Sequence, residues 1–216
     1  MRLNRPGNFQ FVLLAGCCLL AHFASALPSD KGQAIHFAAQ KATLDQKNGV
    51  TTYTGNVEIS QGTLLVKADK VTAHFNAETQ KLERIHAEGS PARYQQQPEP
   101  DQGVMVIEAN TVTALFDTES QRIEKIQAEG SPARYQQQPS LDKGVISANA
   151  NSISYIPTTE QLLLLDNASL EQDGASMSAN KIVYDILKEV MQAAGVSNSE
   201  QERIEIVIPP QPDTQD

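Results

Sequence analysis

An internal repeat constrains this chain more than any other feature of its sequence. The stretch 68–98 recurs 41 positions later as 109–139, and 21 of the 31 aligned residues are identical. The phrase AEGSPARYQQQP occurs twice without a change. A repeat of fixed period predicts a stacked architecture, in which each unit buries the face of its neighbour. We therefore expect the function to lie in a long stacked surface.

Apolar and polar residues alternate within each unit, a pattern that is typical of strands. In the first copy Leu64, Val66 and Ala68 share one face, and 71–75 continue that face after the alternation is interrupted. The same interruption recurs at 109–112, 150–153 and 179–182. A phase break at one height of every unit predicts a bulge or a corner there. The small alanine at this height would let the corner close tightly.

Pairs of glycine, asparagine, aspartate and serine punctuate the chain. We interpret four of them as turns that precede short strands: Gly55-Asn56, Gly89-Ser90, Gly130-Ser131 and Asp166-Asn167. The segment 182–191 also fits helical spacing, but its place in the repeat frame favours a strand. Residues 203–208, RIEIVI, predict a last strand that ends at Pro209-Pro210.

The first residues have the layout of a secretory signal peptide. Arg2 and Arg5 precede the apolar stretch 11–23, which is too short to span a membrane. A small-x-small motif follows, so we predict cleavage between Ala26 and Leu27 and export of the mature chain.

A second interpretation takes 14–17 as a lipoprotein box with a lipidated Cys17. The short apolar segment before Cys17 disfavours it. We expect three parts: a cleaved signal peptide over 1–26, one β domain over 27–208 and a disordered tail over 209–216. Cleavage leaves 15 basic and 26 acidic residues, a balance that argues against nucleic-acid binding.

Residues with catalytic potential are sparse. Two histidine positions of the first copy hold Leu115 and Gln127 in the second, so the repeat does not require imidazole. Glu88 and Glu129 recur, each beside a glycine and five positions before an arginine, and we expect each to be a surface ion-pair or turn residue. We therefore expect no catalytic site, no metal site and no cofactor. A polysaccharide-acting enzyme on a parallel β-helix remains an alternative; it would need a strip of recurring acids.

The inward face is apolar and is filled by small or β-branched residues. The chain has no Trp, and aromatic residues make up 5% of it. An ordinary sandwich core accounts for such a face. An interior left partly unfilled would instead hold alkyl chains, because burial stabilises by about 25 cal/mol per Å² of apolar surface.

Three phrases in a fixed order resemble the OstA-like domain family of lipopolysaccharide-transport proteins. They are Tyr53-Thr54-Gly55-Asn56-Val57, Gln61-Gly62 and Ala68-Asp69-Lys70-Val71, and the resemblance covers about 33–209. It implies an all-β, elongated and open-ended jelly roll of two antiparallel sheets, V-shaped in section. It also implies a non-enzymatic periplasmic carrier that shields acyl chains in an apolar groove. The duplicated 41-residue unit would lengthen this stack by about one unit.

The resemblance implies partners as well: LptC at the N-terminal edge, LptD at the C-terminal edge, and further copies of the chain joined head to tail. Unpaired edge strands are suited to such additions. An LptC-like adaptor, tethered through a retained N-terminal anchor, is the alternative within the same pathway. Together with the inward pattern, the resemblance makes these residues the expected contacts of lipopolysaccharide acyl chains: Ile35, Phe37, Tyr53, Val57, Ile59, Val66, Val71, Phe75, Ile107, Phe116, Ile153 and Tyr155.

Overall fold

The computed structural model describes residues 33–195 and 204–209, and every regular element in them is a β-strand. None of these residues belongs to a helix that is long and apolar enough to cross a membrane. The predicted signal peptide, the Cys17 alternative and 210–216 of the predicted tail lie outside the described residues. The strands are β1 (His36–Ala38), β2 (Lys41–Asp45), β3 (Val50–Gln61), β4 (Leu64–Phe75), β5 (Leu82–Gln96), β6 (Met105–Phe116), β7 (Ile123–Gln137), β8 (Ile146–Ile156), β9 (Gln161–Gln172), β10 (Ala175–Asp185), β11 (Val190–Ala194) and β12 (Glu205–Val207).

The strands form one sheet in chain order. From β3 to β10 each strand pairs with the next, while β1 and β2 share the free edge of β3 and β11 and β12 share that of β10. Every described pairing is antiparallel, so the parallel β-helix alternative is wrong. Ten strand positions at about 4.8 Å spacing give a stack of about 43 Å.

The repeated sequence corresponds to a pair of strands. The first copy, 68–98, covers part of β4 and all of β5, and the second copy, 109–139, covers the same parts of β6 and β7. The segment with ambiguous spacing is not helical: it runs from the end of β10 through a turn at 186–189 into β11, and the two strands pair from Lys181 to Ala194. The predicted last strand exists as β12.

Each long strand bends at one height. The register shifts between Lys67 and Lys70 in β4, and again at 108–111, 149–152 and 179–181. These are the places where the alternation breaks, so the predicted bulge is confirmed. A bulge adds twist and bends its strand. Bulges at one height in successive strands therefore fold the whole sheet over along a line.

The four pairs interpreted as turns lie inside strands, at this same fold line, so that interpretation is wrong. Gly55-Asn56 is in β3, Gly89-Ser90 in β5, Gly130-Ser131 in β7 and Asp166-Asn167 in β9, each within a register shift. The physical reason is that bulges and turns use the same residues. Gly55 has φ +82° and Asp166 +60°, a left-handed conformation that serves equally in a turn.

Small side chains let the sheet fold tightly along this line. Across it Ala92 pairs with Ala109, and Ala133 pairs with Ala150. A longer side chain at these positions would hold the two halves of each strand apart. The buried alanines at this height are Ala68, Ala92, Ala109, Ala133, Ala150 and Ala168.

The fold line divides the sheet into two walls. The first wall comprises the strand halves that lead to the connections 62–63, 97–104, 138–145 and 173–174; the second wall comprises the other halves. The rings of Tyr135 in the first wall and Tyr155 in the second have centroids 5.8 Å apart. The rings of Phe37 in the first wall and Tyr53 in the second are stacked, with centroids 5.4 Å apart. The walls therefore face each other. The open-ended antiparallel jelly roll is confirmed, and its two sides are halves of one continuous sheet.

Candidate functional site

An apolar cavity lies between the two walls toward the β1 end of the stack. The space between its walls, with the solvent at its open mouth included, is about 760 Å³. Strands β3, β4 and β5 contribute residues from both walls, and Ile35 and Phe37 close one side. Its lining is Ile35, Phe37, Tyr53, Ile59, Gln61, Leu64, Val66, Val71, Ala73, Ile85, Ala87, Tyr94, Val112, Ala114, Phe116 and Ile123.

The structure brings seven of the twelve predicted contact residues together around this cavity: Ile35, Phe37, Tyr53, Ile59, Val66, Val71 and Phe116. The other five are not part of its lining. Val57, Ile107, Ile153 and Tyr155 are buried in the core, and Phe75 packs against that core. The inward pattern thus found the interior but did not separate cavity lining from packed core.

Nine lining residues were absent from the prediction. Leu64, Ala73 and Ala114 share the inward phase that the repeat already revealed, so a stricter use of the alternation would have found them. Gln61 is different, because its amide gave no reason to place it inside an apolar interior. The remaining missed residues are Ile85, Ala87, Tyr94, Val112 and Ile123.

Connections between strands control access to the interior. In the first wall, β3 and β4 are joined by 62–63 alone, whereas β5–β6 and β7–β8 are joined by 97–104 and 138–145. We call these two longer connections the straps. They bond to each other, since Gly103 N donates to Gln138 O at 2.9 Å. A Cβ added at Gly103 would lie 2.6 Å from Gln138 Cβ, so this close approach requires glycine.

The first strap reaches across to the second wall. Gln137 Nε2 donates to Gln102 Oε1 at 3.0 Å, and Gln102 Nε2 donates to Glu160 Oε1 at 3.2 Å, in the β8–β9 turn. The Tyr135 hydroxyl donates to Gln137 Oε1. This chain of bonds links the interior to both walls and closes the mouth at that level.

The second strap repeats the crossing one unit further on. Lys143 stands 41 positions after Gln102 and forms a salt bridge with Glu189 in the β10–β11 turn. The hydrogen bond with Glu189 raises the pKa of Lys143. The two straps therefore make equivalent contacts, one through a partly buried amide and one through an exposed ion pair.

The interior below the straps is packed. Tyr135, Ile146, Leu162 and Ile182 have no exposed surface. Burial raises the pKa of the Tyr135 hydroxyl well above its ordinary value, so this phenol stays protonated and acts as a hydrogen-bond donor. The cavity thus occupies one end of the stack and a closed core occupies the other.

The outer face carries cross-strand ion pairs. Lys70 Nζ lies 2.7 Å from Glu88 Oε2, and Arg93 pairs with Glu108. Glu88 thus forms the expected surface ion pair, with Lys70 on the neighbouring strand rather than with the nearby Arg93. The hydrogen bond from Lys70 lowers the pKa of Glu88. Within 33–195 and 204–209, no group of three or more His, Cys, Asp or Glu side chains is placed to hold a metal ion.

Comparison with known proteins adds a family. The profile described as the LptA/(LptD N-terminal domain) LPS transport protein matches residues 36–103 and 99–190. The lipopolysaccharide export system protein LptH of Pseudomonas aeruginosa is 31% identical over 191 residues, which covers 87% of this chain and 85% of that protein.

Two further comparisons give similar proteins. The lipopolysaccharide export system protein LptA of Escherichia coli (strain K12) is 37% identical over 86 residues, 39% of this chain and 46% of that protein. The crystal structure of Pseudomonas aeruginosa LptH is described as the LptA homologous periplasmic component of the conserved lipopolysaccharide transport device. It is 28% identical, with a TM-score of 0.48 over 85% of this chain and all of that one.

Proposed function

Because the chain belongs to the family of LptA and the LptD N-terminal domain, we propose that it carries lipopolysaccharide between the inner and outer membranes. The family consists of lipopolysaccharide transport proteins, so the chain is not an enzyme. The observation that supports a carrier is the apolar cavity between the walls, which sits at the end of the stack left uncovered by the straps.

The acyl chains are the part of lipopolysaccharide that fits this cavity. Fifteen of its sixteen lining residues are aliphatic or aromatic, and burial of alkyl surface there is favourable by about 25 cal/mol per Å². The sugars stay outside, beyond the rims. A passive cavity shifts no equilibrium by itself, so the direction of transport comes from an energy-consuming partner.

Both ends of the stack are suited to strand addition. At the first end β1 and β2 are exposed along their whole length, and at the other end so is β12. We assign LptC to the β1–β2 edge and LptD to the β11–β12 edge, with further copies joining head to tail between them. Backbone N–H and C=O groups along an edge strand supply the hydrogen bonds for such additions.

The periplasm is the compartment in which this carrier works. The predicted signal peptide and the description of LptH as a periplasmic component support that location. Mass spectrometry of the exported protein provides the test. A start at Leu27 agrees with a free carrier, whereas a diacylated Cys17 would make it a tethered adaptor.

Photo-crosslinking in cells tests the carrier role. A photoreactive phenylalanine analogue at Phe116, in the cavity, is expected to give lipopolysaccharide adducts on a blot. The matched control places the analogue at Leu115, the neighbouring residue on the outer face of β6, which is expected to give none. Absence of adducts from Phe116, in protein that is folded and exported, would contradict the cavity as the carrier site.

The same chemistry tests the edges. Leu44 in β2 is 54% exposed and Ile206 in β12 is 56% exposed. We expect LptC adducts from the analogue at Leu44 and LptD adducts from the analogue at Ile206, with adducts of the chain to itself from both. Identification of the adducts by mass spectrometry in the reverse order would overturn the assignment of the edges.

A further inference from the structure

Glutamines recur at one height of the first wall. Gln61, Gln96, Gln137 and Gln172 are the last residues of β3, β5, β7 and β9. Their side chains point inward at the rim. Gln61 and Gln96 are 4% exposed and Gln137 is fully buried. Buried amides of this kind need hydrogen-bond partners for both their nitrogen and their oxygen.

In three of these four glutamines, the amide oxygen accepts a hydrogen bond from a tyrosine hydroxyl. Tyr94 donates to Gln96 Oε1 and Tyr135 donates to Gln137 Oε1. The third pair has the tyrosine on the neighbouring strand, where Tyr184 donates to Gln172 at 3.0 Å. The pairing of tyrosine with glutamine is therefore a regular feature of this rim.

Gln61 departs from that regularity. Its Nε2 donates to the backbone oxygen of Gln33 at 3.2 Å, and because a carbonyl can only accept, this bond fixes which end of the amide is nitrogen. Its Oε1 is buried and accepts no hydrogen bond from any residue in 33–195 or 204–209. The reason is local: Ile59 stands two positions before Gln61, where Tyr94 and Tyr135 stand before their glutamines.

Gln61 also lines the cavity, and it is the only amide among the sixteen lining residues. A buried acceptor without a donor destabilises the protein, because it has lost its hydrogen bonds to water. Three tyrosines remove that penalty elsewhere along the rim. The side chain that lacks one faces the space in which the proposed carrier holds its ligand.

We propose that Gln61 Oε1 accepts a hydrogen bond from a hydroxyl group on the bound alkyl chain. The proposal rests on the carrier function and adds a preference to it: hydroxylated chains bind more tightly than plain ones. The hydroxyl lies near the head end of the chain, since Gln61 ends β3 at the rim and the fold line at Val57 lies about 13 Å deeper along the strand.

The test compares two fatty acids that differ by one hydroxyl, 3-hydroxytetradecanoate and tetradecanoate. Each displaces a fluorescent fatty acid from the full-length exported protein. We expect the wild-type protein to bind the hydroxylated acid roughly three- to tenfold more tightly, as one net hydrogen bond allows. Gln61→Leu is expected to bring the ratio of the affinities for the two acids to one. Gln136→Leu, on the outer face of β7, is expected to leave it unchanged.

A second variant keeps the test independent of how well Gln61→Leu folds. Ile59→Tyr supplies the hydroxyl that Tyr94 and Tyr135 supply elsewhere. This variant is expected to bind both fatty acids more weakly, because the tyrosine narrows the cavity. It is also expected to bring the ratio of the two affinities to one. Equal binding of the two acids by the wild-type protein, or a ratio that survives both variants, overturns the role of Gln61 and leaves the carrier function standing. Binding of neither acid overturns both.

Discussion

The two ends of this stack have the same strand pattern and different interiors. At the β1 end the walls leave an apolar cavity with an open mouth between them, while toward β10 they meet in a core in which Tyr135, Leu162 and Ile182 have no exposed surface. Both ends have the alternation, the bulges and the fold line. The difference therefore does not arise from the strand pattern.

The connections account for much of it. The first wall has a two-residue connection at each end, 62–63 and 173–174. Between them the two eight-residue straps reach the β8–β9 and β10–β11 turns of the second wall through Gln102 and Lys143. Side-chain size contributes as well. Ile59 and Val66 pair at the open end, and the same row continues with Tyr94, Ile107 and Tyr135. In the closed core Tyr135 fills the space between the walls that Ile59 and Val66 leave empty at the open end. A stacked fold can thus set its open volume by loop length and by one row of residues.

Paired truncations in that row give the largest expected effect. Ile59 and Ile107 stand at the same height, but Ile59 lines the cavity and Ile107 is fully buried in the core. We expect Ile107→Ala to lower the free energy of unfolding by about 4 kcal/mol, because it empties packed volume. Ile59→Ala should lower it by about 2 kcal/mol, since part of that side chain already lacks packing partners.

Urea unfolding of both variants measures this difference. Gln136→Leu, on the outer face, serves as the reference for a substitution that touches neither interior. Equal losses for the two isoleucines would mean that the ends are packed alike, and the distinction between an open and a closed end would fail.

Removing a strap contact gives a smaller effect. Gln102→Ala breaks the bond to Glu160 and leaves the buried Gln137 amide without its acceptor, at a cost of about 1–2 kcal/mol. Lys143→Ala removes an exposed salt bridge, and its effect on stability is expected to be smaller still. Hydrogen exchange checks the local consequence: amides of the β8–β9 turn should exchange faster in Gln102→Ala.

Glu124→Ala, an exposed change in β7, is the control for that experiment and should leave exchange of the turn unaltered. If the Gln102→Ala turn also exchanged at the wild-type rate, the strap would not be what holds the walls together at this level.

The alternation predicted the walls from sequence because inward position depends only on period. Val71 and Phe116 are predicted inward, and both line the cavity. The alanine row predicted the fold line for a similar reason, since close approach of two backbones requires small residues. The turn signals misled because glycine and asparagine serve bulges and turns alike, and local sequence does not tell a bend within a strand from its end.

The position of the cavity could not be predicted from the local sequence pattern. Ile59 and Ile107 have the same chemistry and the same place in the alternation, yet only one lines the cavity. Whether each isoleucine lines the cavity or is packed in the core depends on contacts across the walls and across the mouth. Those contacts join residues that are far apart in sequence. Gln102 and Glu160 are 58 positions apart. Gln61 was missed because a polar residue at a strand end is expected to face solvent.

The smallest expected effect concerns the outer faces of the two repeat copies. His74 in the first copy corresponds to Leu115 in the second, and both flank Arg84 across the strands. Partial burial, with the charges of Arg84 and His86, lowers the pKa of His74. The unfolded chain therefore binds a proton more readily than the folded one. The free energy of unfolding therefore falls as the pH falls below the ordinary histidine pKa of about 6.5. It becomes constant again below the lowered pKa of His74 in the folded protein.

His74→Leu, which copies the second unit into the first, is therefore expected to reduce the loss of stability between pH 7 and pH 5. The gain should stay below about 0.5 kcal/mol, because solvent screens this partly exposed site. The reverse change, Leu115→His, places an imidazole between Arg84 and Lys125 and should add to the loss. Urea midpoints at the two pH values measure both. Parallel pH profiles for wild type and the two variants would show that the outer faces of the copies are electrostatically equivalent, and that the difference between the two ends of the stack is confined to the interior.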